Sequence, residues 1–160
     1  MRLRAFGQVL FGIAALFATA AVAEDPTPHF GSLDNPKVYL REGPSYSHRI
    51  LWVYRRKGLP VKVVAGYDVW RRIEDSQGTV GWIHSSMLSD ARTIVVTSAK
   101  PAPVREDDGP SSKILALAQP GVIAKLEACS PAECEIATDG IDGWIEKKNI
   151  WGVSTGESFR

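Results

Sequence analysis

Short apolar runs separated by turn residues recur along the chain after residue 36, about every eight to twelve positions, a spacing typical of a small β barrel or sandwich. Val69–Asp75 and Thr79–Ile83 are two such runs, and Ser76-Gln77-Gly78 between them predicts a hairpin turn. The hairpin ends in Gly-Trp-Ile, and the same three residues return at 143–145 after a polar turn at Asp139-Gly140. The pattern predicts two copies of one β unit.

Other stretches of the two units correspond in the same order. Gly43-Pro44-Ser45 is repeated as Gly109-Pro110-Ser111, and Arg49–Tyr54 corresponds to Lys113–Ala118. Ser111–Gln119, which contains the latter run, alone also fits an amphipathic helix, because periodicity does not separate short apolar runs. Its counterpart is rich in β-branched and aromatic residues, so we interpret both as strands.

The predicted divisions are a linker over 24–36, a first domain over 37–97, a second over 98–153 and a loose tail over 154–160. Arg92–Thr97 is interpreted as the last strand of the first domain. His84–Leu88 predicts one tight helical turn. In the polar, Pro-containing linker, Phe30 and Leu33 are the exceptions, and they would dock on the first domain.

Residues 1–23 have the features of a signal peptide. Arg2 and Arg4 precede an apolar stretch, and Ala21-Val22-Ala23 fits the small-x-small cleavage pattern before the polar Glu24-Asp25. The alternative is an uncleaved anchor, but a span needs about 20 apolar residues and Ala5–Ala23 barely supplies them. We therefore expect a periplasmic protein with no stable membrane span after cleavage.

The charge balance argues against a nucleic-acid partner. Loss of residues 1–23 removes two of the 19 basic residues and none of the 18 acidic ones, so the mature chain is nearly neutral. Nucleic-acid binding leaves a strong basic excess. Residues 37–90 are nevertheless net positive and residues 91–160 net negative. Two ordinary solvated surfaces explain this, as does an anionic partner of the first domain.

Cys129 and Cys134 are the two cysteines of the chain, and export makes a disulfide between them the expected state. Such a bond would close a hairpin tip. Two cysteines cannot complete a tetrahedral metal set, and no histidine lies near them in the second unit. Phosphate-binding loops, nucleophile elbows and metalloprotease helices are missing from the sequence. We therefore expect neither catalysis nor a metal or cofactor.

The first unit resembles the bacterial SH3-like domain. Four stretches carry the resemblance. They are Leu40-Arg41-Glu42-Gly43-Pro44-Ser45, Gly58-Leu59-Pro60-Val61, Trp70-Arg71-Arg72-Ile73 and Gly81-Trp82-Ile83-His84-Ser85-Ser86-Met87-Leu88. With the signal peptide and the second unit, the layout is similar to exported tandem SH3-like proteins of alphaproteobacteria. The resemblance implies an all-β fold of two tandem small SH3-like barrels after a cleaved signal peptide. It also implies modules that bind wall peptides, glycans or proteins.

The second unit departs from this pattern. Asp107-Asp108 is inserted before Gly109, and Cys134 falls where the first unit has Trp70. These departures count against carrying a binding groove over from the first unit to the second.

The candidate ligand-binding residues are Tyr39, Tyr46, Tyr67, Trp70 and Arg72. Their rings combine apolar area with polar atoms, and a guanidinium binds carboxylates bidentately. The competing explanations are that the aromatic side chains only cover the structure and that Arg72 belongs to a solvated rim. Trp52 and Trp82 are expected in the core, because so small a unit must bury most of its large apolar side chains.

Arg41 and Arg105 occupy matching positions in the two units. Such a recurrence is as consistent with a structural role, anchoring the long first loop, as with ligand binding. The predicted function is a non-catalytic module that binds cell-wall peptide or glycan, or an envelope protein. The alternative is a structural adaptor for protein or self association without a small ligand.

Overall fold

The computed structural model describes residues 27–138 and 140–160, and it consists of two seven-stranded antiparallel sheets. The predicted signal peptide over residues 1–23 and Asp139 of the second turn lie outside the described residues. The all-β fold predicted from the sequence is confirmed. Within the described ranges, no helix has the length and apolar character needed to cross a membrane.

The first sheet, which we call the first domain, has the strand order β3-β2-β6-β5-β4-β1-β7. Its strands are β1 (His29–Leu33), β2 (Val38–Arg41), β3 (Ile50–Tyr54), β4 (Pro60–Tyr67), β5 (Trp70–Glu74), β6 (Val80–His84) and β7 (Leu88–Ser89). The predicted helical turn is a 3₁₀ turn over Ser85–Met87.

The second sheet, the second domain, repeats this order as β10-β9-β13-β12-β11-β8-β14. Its strands are β8 (Thr93–Val96), β9 (Ala102–Arg105), β10 (Ile114–Ala118), β11 (Ile123–Cys129), β12 (Glu133–Thr138), β13 (Ile141–Glu146) and β14 (Ile150–Trp151). A second 3₁₀ turn covers Lys147–Asn149. The strand prediction for Lys113–Ala118 is confirmed.

The recurring Gly-Trp-Ile motif brings two strands close together in each domain. A side chain at Gly81 would place its Cβ 2.8 Å from the Arg41 carbonyl oxygen, and one at Gly143 would place it 2.4 Å from that of Arg105. Both distances are too short for a real Cβ, so glycine is required where β6 pairs with β2 and where β13 pairs with β9. Ile83, two positions later, is fully buried in the core.

Each domain has its own apolar core. Leu33, Leu40, Val61, Ile73 and Ile83 are fully buried in the first. The core of the second includes Ile94, Val96, Leu126, Ile136 and Ile145 together with the Cys129–Cys134 disulfide.

The strand assignment at the domain boundary was wrong in one respect. Thr93–Val96 pairs with β11 and β14 of the second sheet, not with the first. The corresponding strand of the first sheet is His29–Leu33, which the sequence placed in a linker, and Leu33 is fully buried there. Each sheet therefore includes one strand that precedes the stretch predicted for its repeat.

The segment 154–160 is also not loose. Phe159 and Cys129 exchange two backbone hydrogen bonds of 2.9 and 3.0 Å. Arg92 Nη1 donates to Glu157 Oε1 at 2.9 Å, and the Phe159 ring packs against the second core. The segment is part of the second domain.

Phe30 does not dock as predicted. Its ring meets Trp151 of the second domain edge to face, with centroids 5.0 Å apart, and the Arg92 guanidinium lies over it at 5.7 Å. Thr93 Oγ1 also donates to the Gly58 carbonyl oxygen at 2.8 Å. These contacts join the two domains.

The core prediction failed for two tryptophans. Trp52 is 56% exposed and lies on β3, an edge strand of the first sheet. Trp82 is half-buried on the outer face, since Gly81 and Ile83 on either side of it point inward.

Candidate functional site

A cleft of about 270 Å³ opens on the outer surface of the first domain. Its side chains come from β2 and its flanks, the loop before β3, the β5–β6 hairpin and the 3₁₀ turn. We call it the aromatic cleft, and its lining residues are Lys37, Tyr39, Arg41, Tyr46, Trp70, His84 and Met87.

Three rings at one end of the cleft contact one another. Tyr46 meets Trp70 edge to face at 4.9 Å and stacks on His84 at 5.9 Å, and Trp70 meets His84 edge to face at 5.5 Å. Such geometries are favourable because ring edges are positive and ring faces negative. Trp70 is 6% exposed and forms the floor, whereas Tyr46 is 68% exposed.

Arg41 holds the loop that carries Tyr46. Its Nη1 donates to the backbone oxygens of Tyr46 and His48, at 3.0 and 2.9 Å, and its guanidinium lies 5.4 Å from the Tyr46 ring centroid. Arg105 makes the equivalent bond to the Ser112 backbone oxygen at 2.9 Å. Both arginines therefore anchor the first loop of their domain, which is the structural alternative considered from the sequence.

His84 is positioned by the 3₁₀ turn that follows it. Its Nδ1 accepts a hydrogen bond from the Ser86 backbone N–H at 3.2 Å and lies 2.8 Å from Ser86 Oγ. Because Nδ1 is an acceptor, the neutral imidazole carries its proton on Nε2. Across the hairpin, His84 is the register partner of Trp70.

The charged groups of the cleft are basic. Lys37 Nζ lies 5.0 Å from the centroid of the Tyr39 ring. The hydrogen bond from Lys37, with help from its charge and those of Arg55 and Arg41, lowers the pKa of the Tyr39 hydroxyl. None of the seven lining residues is acidic. The cleft thus combines ring surfaces with a positive potential.

Three of the five candidate residues meet in this cleft: Tyr39, Tyr46 and Trp70. Tyr67 is 57% exposed and lies outside it. Arg72 shares the outer face with Trp70, as period-two alternation predicts, but it is exposed and its register partner is Trp82.

Sequence reasoning missed Lys37, His84 and Met87 as lining residues. A signal for His84 was present, because Trp70 and His84 are equally distant from Gln77 at the centre of the hairpin turn. A symmetric hairpin places such residues side by side. Lys37 had a signal as well, because residues 37, 39 and 41 share one face by period-two alternation. Met87 had no comparable signal.

The second domain does not reproduce the cleft. Ile136 pairs with Gly143 as Ile73 pairs with Gly81, so Glu133, not Cys134, is the counterpart of Trp70. The sequence alignment was displaced by one residue here.

Glu133 has a different role from Trp70. It is 3% exposed, and its Oε2 accepts a hydrogen bond from the Gly109 backbone N–H at 2.9 Å. The counterpart of His84 is Glu146, and counting back from Arg105 puts Pro103 at the place of Tyr39. The rings of the cleft and the Lys37 ammonium are missing at this place, whereas Arg105 keeps the position of Arg41.

The predicted disulfide between Cys129 and Cys134 is present, and the two residues are register partners at the tip of the β11–β12 hairpin. Within residues 27–138 and 140–160, no three His, Cys, Asp or Glu side chains are grouped so that they could hold a metal ion.

Comparison with protein families identifies the class of the two repeated sheets. The family model of the bacterial SH3 domain matches the chain twice, at residues 34–90 and 98–152. The chain belongs to the bacterial SH3 domain family, with two copies in tandem.

Solved structures similar to the chain include NlpC2 and NlpC1 from Trichomonas vaginalis. They are 13% and 12% identical to it over 78% and 87% of its length, each with a TM-score of 0.36. The chain spans 48% and 50% of those two chains, about half. No curated protein matched it in a sequence comparison.

Proposed function

We propose that the protein is an exported, non-catalytic binding module that recognises cell-wall peptide or glycan, or a protein of the cell envelope, through the aromatic cleft. Domains of this family are generally non-catalytic binding modules. The observation that carries the proposal is the cleft itself, in which Tyr46, Trp70 and His84 pack ring to ring beside Lys37 and Arg41.

The chemistry of the cleft favours a ligand that offers both an apolar surface and a carboxylate. Ring faces and edges supply apolar area with polar contacts, which suits peptide and sugar chains. The Lys37 ammonium and the Tyr39 hydroxyl supply donors to an anionic group at the other end. Wall peptides and acidic protein segments both carry such groups.

Co-sedimentation of the full chain with isolated sacculi tests this proposal. Tyr46→Ala removes an exposed ring, so it should weaken retention about tenfold or more while leaving the thermal unfolding midpoint nearly unchanged. Tyr67→Ala is the matched control, because it removes another exposed tyrosine that lies outside the cleft. Equal retention of the two variants would reject the cleft as the binding site.

The tryptophan floor and the neighbouring arginine give a second comparison. Trp70→Ala should abolish retention, but it also removes a buried side chain, so circular dichroism must first establish that the variant is folded. Arg72→Ala should retain wild-type binding, because Arg72 does not line the cleft. We also expect the wild-type protein to show no turnover of purified cell wall, since the module is proposed as non-catalytic.

The adaptor alternative has an observation of its own. Ile50, Leu51 and Trp52 are between 41% and 56% exposed on β3, which is an edge strand of the first sheet. Exposed apolar edge strands favour strand pairing with another chain. Light scattering after size exclusion separates the two functions. A stable oligomer that Trp52→Ser dissociates, combined with no retention on sacculi, would favour the adaptor.

A further inference from the structure

The second domain contains a pocket of about 200 Å³ that has no part in the proposed function of the aromatic cleft. Most of its wall is apolar, and the lining includes Val104, Ala118, Val122, Ile136, Thr138 and Ile141. Val104 and Ile136 belong to the buried core, whereas Leu117 and Gln119 in the lining are exposed. The pocket therefore leads from the surface to the core.

The two repeats explain why the space exists. Tyr54 in β3 pairs with Val38, and Ala118 in β10 pairs with Ala102, which is the counterpart of Val38. Ala118 therefore stands where the first domain has Tyr54. The Tyr54 side chain is 5% exposed and fills the end of the first core.

The polar end of the pocket follows the same correspondence. In the first domain the Tyr54 hydroxyl donates to Asp75 Oδ2 at 2.9 Å. Asp75 lies two residues after Ile73, and Thr138 lies two residues after its counterpart Ile136. Thr138 Oγ1 donates to the Ile141 carbonyl oxygen at 3.1 Å, so its lone pairs remain available as acceptors.

We propose that this pocket is a binding site for a single phenol ring supplied from outside the domain. The first domain fills the corresponding space with the phenol ring of Tyr54. The second domain has Ala118 in its place but has the same surrounding strands and the Thr138 hydroxyl at the polar end. An apolar protein cavity of about 150 Å³ is known to be sufficient to bind benzene.

The lining selects against charged aromatic ligands. Lysine, arginine, aspartate and glutamate are all missing from the nine lining residues, so an ionised group would lose its hydration without a partner. A phenol hydroxyl is neutral below a pH of about 10 and can donate to Thr138 Oγ1. The phenol has two sources, a free small molecule or the tyrosine side chain of a polypeptide.

Methyl chemical shifts of the full chain, recorded while p-cresol is added, test the site directly. We expect saturable shifts at Val104, Ile136 and Ile141 with roughly millimolar affinity, and none at Leu40 or Ile73 in the first core. Ala118→Tyr places the chain's own ring in the pocket, so it should abolish these shifts and raise the thermal unfolding midpoint. Unsaturable shifts, or shifts confined to the first domain, would overturn the proposal.

Two further arms keep the result independent of how Ala118→Tyr folds. Thr138→Val removes the hydroxyl acceptor and should weaken p-cresol relative to toluene about fivefold. An unchanged ratio would show an apolar void without phenol selectivity and would overturn the assignment. N-acetyl-tyrosinamide then distinguishes the sources: binding tighter than p-cresol identifies a tyrosine side chain of a polypeptide, and weaker binding identifies a free phenol.

Discussion

Trp70 and Glu133 hold the same position in the two repeated sheets, three residues before a buried isoleucine that faces the glycine of the Gly-Trp-Ile motif. Trp70 presents a ring to the aromatic cleft, while Glu133 turns its carboxylate to the Gly109 backbone N–H. One repeat thus uses this position for an outer aromatic surface, and the other uses it to tie down its first loop. The same backbone therefore supports two different surfaces, which is why the proposed binding is assigned to the first domain alone.

Glu133→Ala should destabilise the second domain by about 1–3 kcal/mol, because the partly buried Gly109 N–H loses its acceptor. Glu133→Gln keeps an amide oxygen at the same place and should cost less. Denaturant unfolding of the two variants measures the difference. Neither substitution should change retention on sacculi, and loss of retention in either one would place part of the binding surface in the second domain.

Lys37→Ala should raise the pKa of Tyr39 towards its ordinary value of about 10, because the hydrogen bond and charge that lower it are removed. Ultraviolet absorbance of tyrosinate, compared between wild type and variant, follows this titration. Tyr39→Phe identifies which transition has moved. The same lysine substitution should weaken sacculus binding and reduce its dependence on salt concentration, as expected when one cation leaves an anion-binding cleft. An unchanged titration would contradict the placement of Lys37 over Tyr39.

Much of the fold could be predicted because short sequence motifs recur in both units. The Gly-Trp-Ile motif marks the hairpin in both domains, since only glycine fits beside the Arg41 and Arg105 carbonyls. The assignment of β8 failed because strand pairing is non-local. Thr93–Val96 and His29–Leu33 share no motif, so the sequence did not reveal that both begin a repeat.

The candidate site could be predicted only in part for a related physical reason. Period-two alternation correctly placed Trp70 and Arg72 on the face opposite Ile73. Alternation gives the face of a side chain but not what covers it. Tyr46 covers Trp70 because Arg41 folds the loop back over β5. The same missing information explains Trp52, whose strand lies at an uncovered edge.

Tyr54→Phe should cost about 1–2 kcal/mol at neutral pH, because Asp75 loses the hydroxyl that donates to it in a buried site. Burial, and then the hydrogen bond to Asp75, raise the pKa of Tyr54 above its ordinary value. The unfolded chain therefore releases this proton first, and the stabilisation is complete below pH 10 or so and falls as the pH rises above it. Denaturant unfolding across alkaline pH should show the wild type and Tyr54→Phe converging, and a constant gap would contradict the raised pKa.

Arg92 and Glu157 join the C-terminal segment to the second domain, and their pair should make that domain sensitive to acid. Partial burial alone would raise the pKa of Glu157, but the hydrogen bonds from Arg92 and the Ser154 backbone N–H outweigh it and lower the pKa. A carboxylate whose folded pKa is lowered stabilises the fold above its unfolded pKa, about 4.3, and loses that contribution as the pH falls through the folded value. Glu157→Gln should therefore cost about 1–3 kcal/mol at neutral pH and progressively less below pH 4 or so.

Glu127→Gln provides the matched control for this pair. Glu127 meets Lys125 at 2.8 Å, but both side chains are more exposed than Arg92 and Glu157, so its loss should cost less than about 1 kcal/mol. Urea unfolding of wild type and both variants between acid and neutral pH gives the comparison. If the two substitutions cost the same, or if the Glu157→Gln deficit does not shrink in acid, then the C-terminal segment is not held by this ion pair. Truncation after Ser154 should cost more than Glu157→Gln, because it also removes Phe159, which packs against the second core and pairs with Cys129.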